Sequence, residues 1–191
     1  MAPKRKKRNR KDDGFGFITD ARLRGDIKIA LGFSSYLIRL SAKAQKNYKR
    51  ELRRVVILYT ASVVEALCLF LIKQNNLSKE KLEYKYARTI VMPGVSLPKG
   101  NTQVVALQEK IPLFLTDIPF FDAINILRKE KILTPSFAKR LHSLREKRNS
   151  QHLYGRLSKH LLKMDVNRAF LVLENIFEII RKNTEKIPYA H

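Results

Sequence analysis

The chain's 191 residues amount to 22.2 kDa, enough for one domain and a tail, and a hydrophobic share of 45% excludes wholesale disorder. With 39 Lys and Arg against 17 Asp and Glu, the formal net charge is +22, which points to a polyanionic partner, most commonly nucleic acid. The single cysteine, Cys68, excludes an internal disulfide and a cysteine-based zinc site, and it suits a reducing compartment such as the cytoplasm.

Residues 1–16 read as a flexible, disordered basic arm. Lys4, Arg5, Lys6, Lys7, Arg8, Arg10 and Lys11 repel one another, and little apolar surface lies nearby to bury. Removing residues 1–11, which hold those seven charges, still leaves +15, so the excess also belongs to the rest of the chain, whose residues 17–191 read as one helical domain. The arm can clamp phosphates. Its run PKRKKRNRK also resembles a nuclear-targeting patch, so it does not separate cytoplasm from nucleus. No apolar segment follows the charged start, so it does not read as a secretory signal.

From about Asp26, Ile27, Ile29, Ala30, Phe33, Tyr36, Leu37 and Leu40 recur at helical spacing. A break is expected near Ser41, a competent N-cap, before a helix from about Ala44 to Gln74 that Asn75 and Asn76 end. Its stretch Val55 to Ile72 is the most hydrophobic in the chain. Glu65 in its middle would be costly in lipid, so a buried core helix is expected and no membrane partner. The prolines and glycines of VMPGVSLPKGN predict a loop between Tyr84 and Asn101, with room for a short hairpin, and helical pattern resumes over Thr102 to Lys110. Thr116-Asp-Ile-Pro119 looks like the start of a helix that ends near Lys131. Thr134-Pro135 is the clearest start signal, opening a helix to about Leu153 that Gly155 ends. A last helix is expected from Asp165 to about Asn183. The sum is an all-α bundle of four to six helices.

The candidate chemistry lies on the helix after Thr134, in LHSLREKRNSQHLYG. At about 100° per residue, Arg145, Arg148, Asn149 and His152 share an arc of roughly 100° with Leu141. An apolar face thus turns into one of guanidinium, amide and imidazole. An imidazole can move a proton near neutral pH, and a guanidinium can neutralise charge growing on a phosphate. Together they suffice to cleave RNA through its 2′-hydroxyl with no metal and no cofactor. Spacing alone favours the plainer reading, a histidine satisfied by neighbours near a helix end with arginines reaching to water, because Arg and His on one helical face is a common accident. Glu65, amid apolar neighbours, either pairs with Arg145 or Arg148 and orients it, or faces solvent.

RNSQH, preceded by LREK, resembles the signature of the HEPN superfamily, an arginine followed by a polar residue and then a histidine, with four to six residues between the arginine and the histidine. VVILYTASVVEALCLFLIK looks like that family's early helix with its embedded acidic residue, and MDVNRAFLVLENIFEIIRKN is similar to its closing helix. The likeness spans about Arg50 to Asn183. It implies a HEPN-like bundle that often forms a homodimer, in which Arg/His pairs from two subunits meet in one cleft. Catalytic members are metal-independent endoribonucleases of toxin or defence type, some with a nucleotidyltransferase-type antitoxin partner. Other members only bind RNA or nucleotides. On this reading His152, Arg148 and Arg145 are catalytic, with Asn149 and Glu65 in support. The alternatives are a non-catalytic RNA-binding or interaction module and a structural nucleic-acid-associated protein. Only three residues separate Arg148 from His152, whereas six separate Arg145 from it, so the spacing leaves either arginine open.

Overall fold

The structure, a computed structural model, describes residues 14–77, 80–89, 104–112, 114–150 and 163–186. Lys4 to Lys11, the loop residues 91–101, His152 and Gly155 lie outside the described residues. The described residues form five α-helices and one antiparallel β-hairpin between the second helix and the third.

Helix α1, Ala21–Lys43, begins earlier than its apolar periodicity suggests, because Asp20 caps it: the Leu23 N–H donates to Asp20 Oδ1 at 3.0 Å. The break before the next helix falls at Ala44 and Gln45, not at Ser41. The Ser41 hydroxyl donates back to the Ile38 carbonyl at 2.7 Å inside α1 and caps nothing. Helix α2, Lys46–Gln74, is the central element. It ends where Asn76 takes a left-handed φ of 52° and the Leu77 N–H reaches the Ile72 carbonyl at 3.0 Å, a Schellman closure.

Strands β1, Glu80–Thr89, and β2, Val104–Pro112, pair from Glu80 opposite Pro112 to Thr89 opposite Val104, with an irregularity between Tyr86 and Arg88. This corrects the helical expectation for Thr102 to Lys110. The short apolar run of β2 fits either period, and its β-branched start favours an extended backbone once β1 offers a partner ladder. The hairpin expected as short is long.

The start expected at Thr116 is a 3-10 turn, Leu115–Asp117, and helix α3, Phe120–Lys129, follows Pro119. Lys131 closes α3 with φ 58°, and the Ile132 N–H donates to the Leu127 carbonyl at 3.0 Å. Helix α4, Pro135–Ser150, starts as expected, with the Phe137 N–H donating to Thr134 Oγ1 at 3.3 Å. Helix α5, Lys163–Lys186, starts two residues before Asp165, so that residue sits inside the first turn rather than capping it.

The core lies around α2. Its Val56, Ile57, Ala61, Val64, Leu67, Cys68, Leu71 and Ile72 are essentially inaccessible, and Ile124 and Leu127 of α3, Leu141 of α4 and Ile176 and Ile180 of α5 join them in one cluster. Alone, α2 has the length and hydropathy to cross a membrane, yet these residues face protein. The N-terminal segment packs on α5 through Phe15 and Phe17 against Phe177, at 5.4 and 5.8 Å between ring centres. Gln74 at the end of α2 donates to Thr184 Oγ1 at 3.0 Å.

Candidate functional site

Helix α4 reaches the bundle with Phe137, Ala138, Leu141 and Leu144 buried, and then its inner face becomes cationic. The first helical turns bury against α2 and α3, while the last turns carry Arg145, Lys147 and Arg148 at the edge of the packed region. These three cations diverge to three different partners.

Arg148 turns to α2. Its Nη1 lies 2.8 Å from Glu65 Oε2, and the two side chains are 27% and 23% exposed. Glu65 is therefore neither orphaned in the core nor open to water. It sits where the apolar face of α2 ends, and its carboxylate fixes a guanidinium on the neighbouring helix. A charge-assisted contact of this length, largely screened from water, restricts the arginine far more than a surface pair would.

Arg145 turns to α3. Its guanidinium carbon lies 4.8 Å from the centre of the Phe121 ring, a cation–π distance, and Glu146 stands 3.9 Å from its Nη2. The His142 ring lies 5.1 Å from the same Phe121 ring. Two buried nitrogens in this cluster, Arg145 Nε and His142 Nδ1, have no hydrogen-bond partner among the described residues. Burial, then the positive charges of Arg145 and Arg128, hold the His142 imidazole below its usual pKa, so it stays neutral at physiological pH.

Lys147 turns to α5, where its ammonium is ion-paired with Asp165. This contact bridges the end of α4 and the start of α5. Beside it a cleft of about 590 Å³ opens between the two helices, lined by Lys139, Arg140, Arg168, Leu144 and Val172 among others. A smaller cleft of about 310 Å³ between α1, α2 and α5 has Lys49, Arg53 and Lys163 at its wall.

Of the residues singled out by sequence, the structure brings Glu65 and Arg148 together and sends Arg145 elsewhere. Asn149 is exposed in the last turn of α4. His152 and the seven basic residues of the arm lie outside the described residues. The Phe121–His142–Arg145 stack escaped the sequence reading. Its one available signal was the spacing of His142 and Arg145, three apart on one helix. The Lys147–Asp165 tie, between distant segments, had none. Cys68 is fully buried, and burial followed by the nearby Glu65 carboxylate pushes its thiol strongly up, which leaves it inert as a nucleophile. Among the described residues no group of three or more His, Cys, Asp or Glu side chains is placed to hold a metal ion. No protein-family model, curated protein or solved structure matches the chain.

Proposed function

We propose that the chain is a HEPN-like domain that cleaves RNA without a metal, with Arg148 and His152 as the reacting pair and Glu65 as the group that positions Arg148. The observation that carries this reading is the 2.8 Å contact between Glu65 of α2 and Arg148 of α4. Positioning matters because a guanidinium stabilises charge on a scissile phosphate only if it is already aimed there. His152 follows Arg148 by one helical turn in sequence, the spacing at which a proton-transfer group and a phosphate-binding group can share a substrate. The imidazole takes the 2′-hydroxyl proton, the 2′-oxygen attacks phosphorus to close a 2′,3′-cyclic phosphate, Arg148 neutralises the equatorial oxygens, and the 5′-oxygen leaves as its bond to phosphorus breaks and takes a proton from water. Arg145, held on Phe121, supports the helix rather than the reaction. In the same reading two copies share one cleft, a nucleotidyltransferase-type protein is the antitoxin partner, and the chain works in the cytoplasm.

The test is incubation of purified wild-type and His152→Ala protein with total RNA in EDTA. Wild type cleaves and His152→Ala does not, although it binds RNA and folds as before; equal cleavage by the two removes His152 from the mechanism. A second reading, an RNA-binding module without catalysis, draws on a separate observation: both arginines already have protein partners, Glu65 and Phe121. It predicts binding that weakens with salt and no cleavage by any variant.

A further inference from the structure

Helices α4 and α5 leave a gap between them. Ser136, Arg140, Ser143 and Lys147 recur on α4 at intervals of three and four, as Asp165, Ala169 and Val172 do on α5, so each set shares one helical face. Those two faces line the cleft of about 590 Å³. The short side chains of Ser143 and Ala169 leave its space open, whereas packed helices normally fill the volume between them. A cleft of this volume falls within the range of small-molecule sites.

The lining divides by chemistry. Leu144, Ala169 and Val172 are buried and make its floor, and Leu171, 55% exposed, adds an aliphatic wall open to solvent. Lys139, Arg140 and Arg168 stand exposed at the rim, where their methylene stems extend the apolar walls. Asp165, the one carboxylate among the lining residues, is already ion-paired with Lys147. Three positive charges therefore face the opening with no counter-charge from the lining. The lining also holds no aromatic ring and no side-chain amide, so a nucleobase would find nothing to stack on or pair with. A bare inorganic anion would leave the aliphatic floor unused.

We propose that this cleft binds an amphiphilic anion with one aliphatic tail and one carboxylate, sulfate or phosphate head. The tail lies on Leu144, Ala169, Leu171 and Val172, where each methylene removed from water adds to affinity. The head meets Lys139, Arg140 and Arg168, and either guanidinium can offer it a forked pair of hydrogen bonds. About 16 Å of α4 separates Ser136 from Lys147, roughly the length of an extended twelve-carbon chain. A cleft between two helices admits one tail, which suits a free amphiphile rather than a bilayer surface. Binding here needs neither Arg148, His152 nor Glu65, and it is independent of RNA cleavage.

Isothermal titration calorimetry of the full chain, freed of nucleic acid by nuclease, tests it with dodecanoate below its micelle-forming concentration. One equivalent binds, octanoate binds at least about tenfold more weakly because four methylenes are missing, and dodecyltrimethylammonium does not bind. Ser143→Trp changes an exposed position and fills the cleft, so it abolishes binding with an unchanged helical circular dichroism signal. Arg168→Gln, also at an exposed position, weakens binding about fivefold or more, whereas Arg39→Gln on α1 leaves the affinity as it is. Absence of dodecanoate binding overturns the proposal. So does binding that Ser143→Trp leaves intact, or that Arg39→Gln weakens as much as Arg168→Gln, since either would show diffuse attraction to a basic surface. Adenosine monophosphate bound as tightly as dodecanoate, or attachment to phosphatidylglycerol vesicles without uptake of free dodecanoate, overturns it as well.

Discussion

Glu65 and Arg148 form the contact on which most of the functional reading turns, and each is about three-quarters removed from water. Replacing either by alanine leaves its partner partly desolvated and uncompensated. The expected loss is roughly 1–3 kcal/mol, below that of a fully buried pair because water still reaches both groups. The double variant should lose less than the sum of the two single losses, as read by urea unfolding; strict additivity would mean that the contact carries no coupling energy. His142 makes a second prediction at this scale. Its folded-state pKa lies below its ordinary value of 6.5, so the unfolded chain binds the proton first as pH falls. Stability therefore declines on acidification from pH 6.5 towards that lowered value, and the decline comes from forcing a charge into the Phe121 stack. His142→Gln should flatten that part of the stability–pH curve, measured by thermal unfolding; an unchanged slope would assign it to other groups. At the site itself, Glu65 was legible because a carboxylate among valines and leucines needs a partner. The choice between Arg145 and Arg148 was not, since both share one arc of α4 and only the positions of α2 and α3 separate them.

At the scale of elements, the helices were legible where a cap and a periodic face coincide, as at Thr134-Pro135. Thr134→Ala should cost about 1 kcal/mol through loss of the bond from the Phe137 N–H. Lys131 holds a left-handed conformation that closes α3, a backbone that glycine adopts without strain. Lys131→Gly is thus expected to stabilise the chain by roughly 0.5–1 kcal/mol, seen as a raised melting temperature, and a lowered one would show that the lysine side chain stabilises the turn by other means. β2 was misread for a physical reason. Val104, Leu107 and Ile111 satisfy helical spacing, whereas the cause of their extended backbone is pairing with β1, which lies some twenty residues back and is invisible to local pattern. The spacing of Ile27, Ile29, Ala30, Phe33, Tyr36, Leu37 and Leu40 likewise identified α1 as a helix but could not tell its covered face from its open one.

For the whole molecule, two features set behaviour. One is a core organised around α2 and tied to α5 and the N-terminal segment through Gln74, Thr184, Phe15 and Phe17. The other is a charge of +22, of which residues 1–11 carry seven. RNA affinity should fall steeply with salt, and deleting residues 1–11 should reduce the slope of log affinity against log salt by as many as about five, if each charge meets a phosphate on a single strand. A slope unaffected by the deletion would show that the helical domain alone makes the phosphate contacts.

The central claim, that a carboxylate on the core helix aims Arg148 at the phosphate of an RNA, is tested most directly by cleavage rates of one defined RNA in EDTA. Wild type is compared with Arg148→Ala and Glu65→Gln at saturating protein concentration. Cleavage by wild type, with rates reduced about a hundredfold or more in Arg148→Ala and by a smaller factor in Glu65→Gln while RNA binding persists, is the expected result. An Arg148→Ala protein that cleaves as fast as wild type, or a wild type that cleaves nothing, contradicts it.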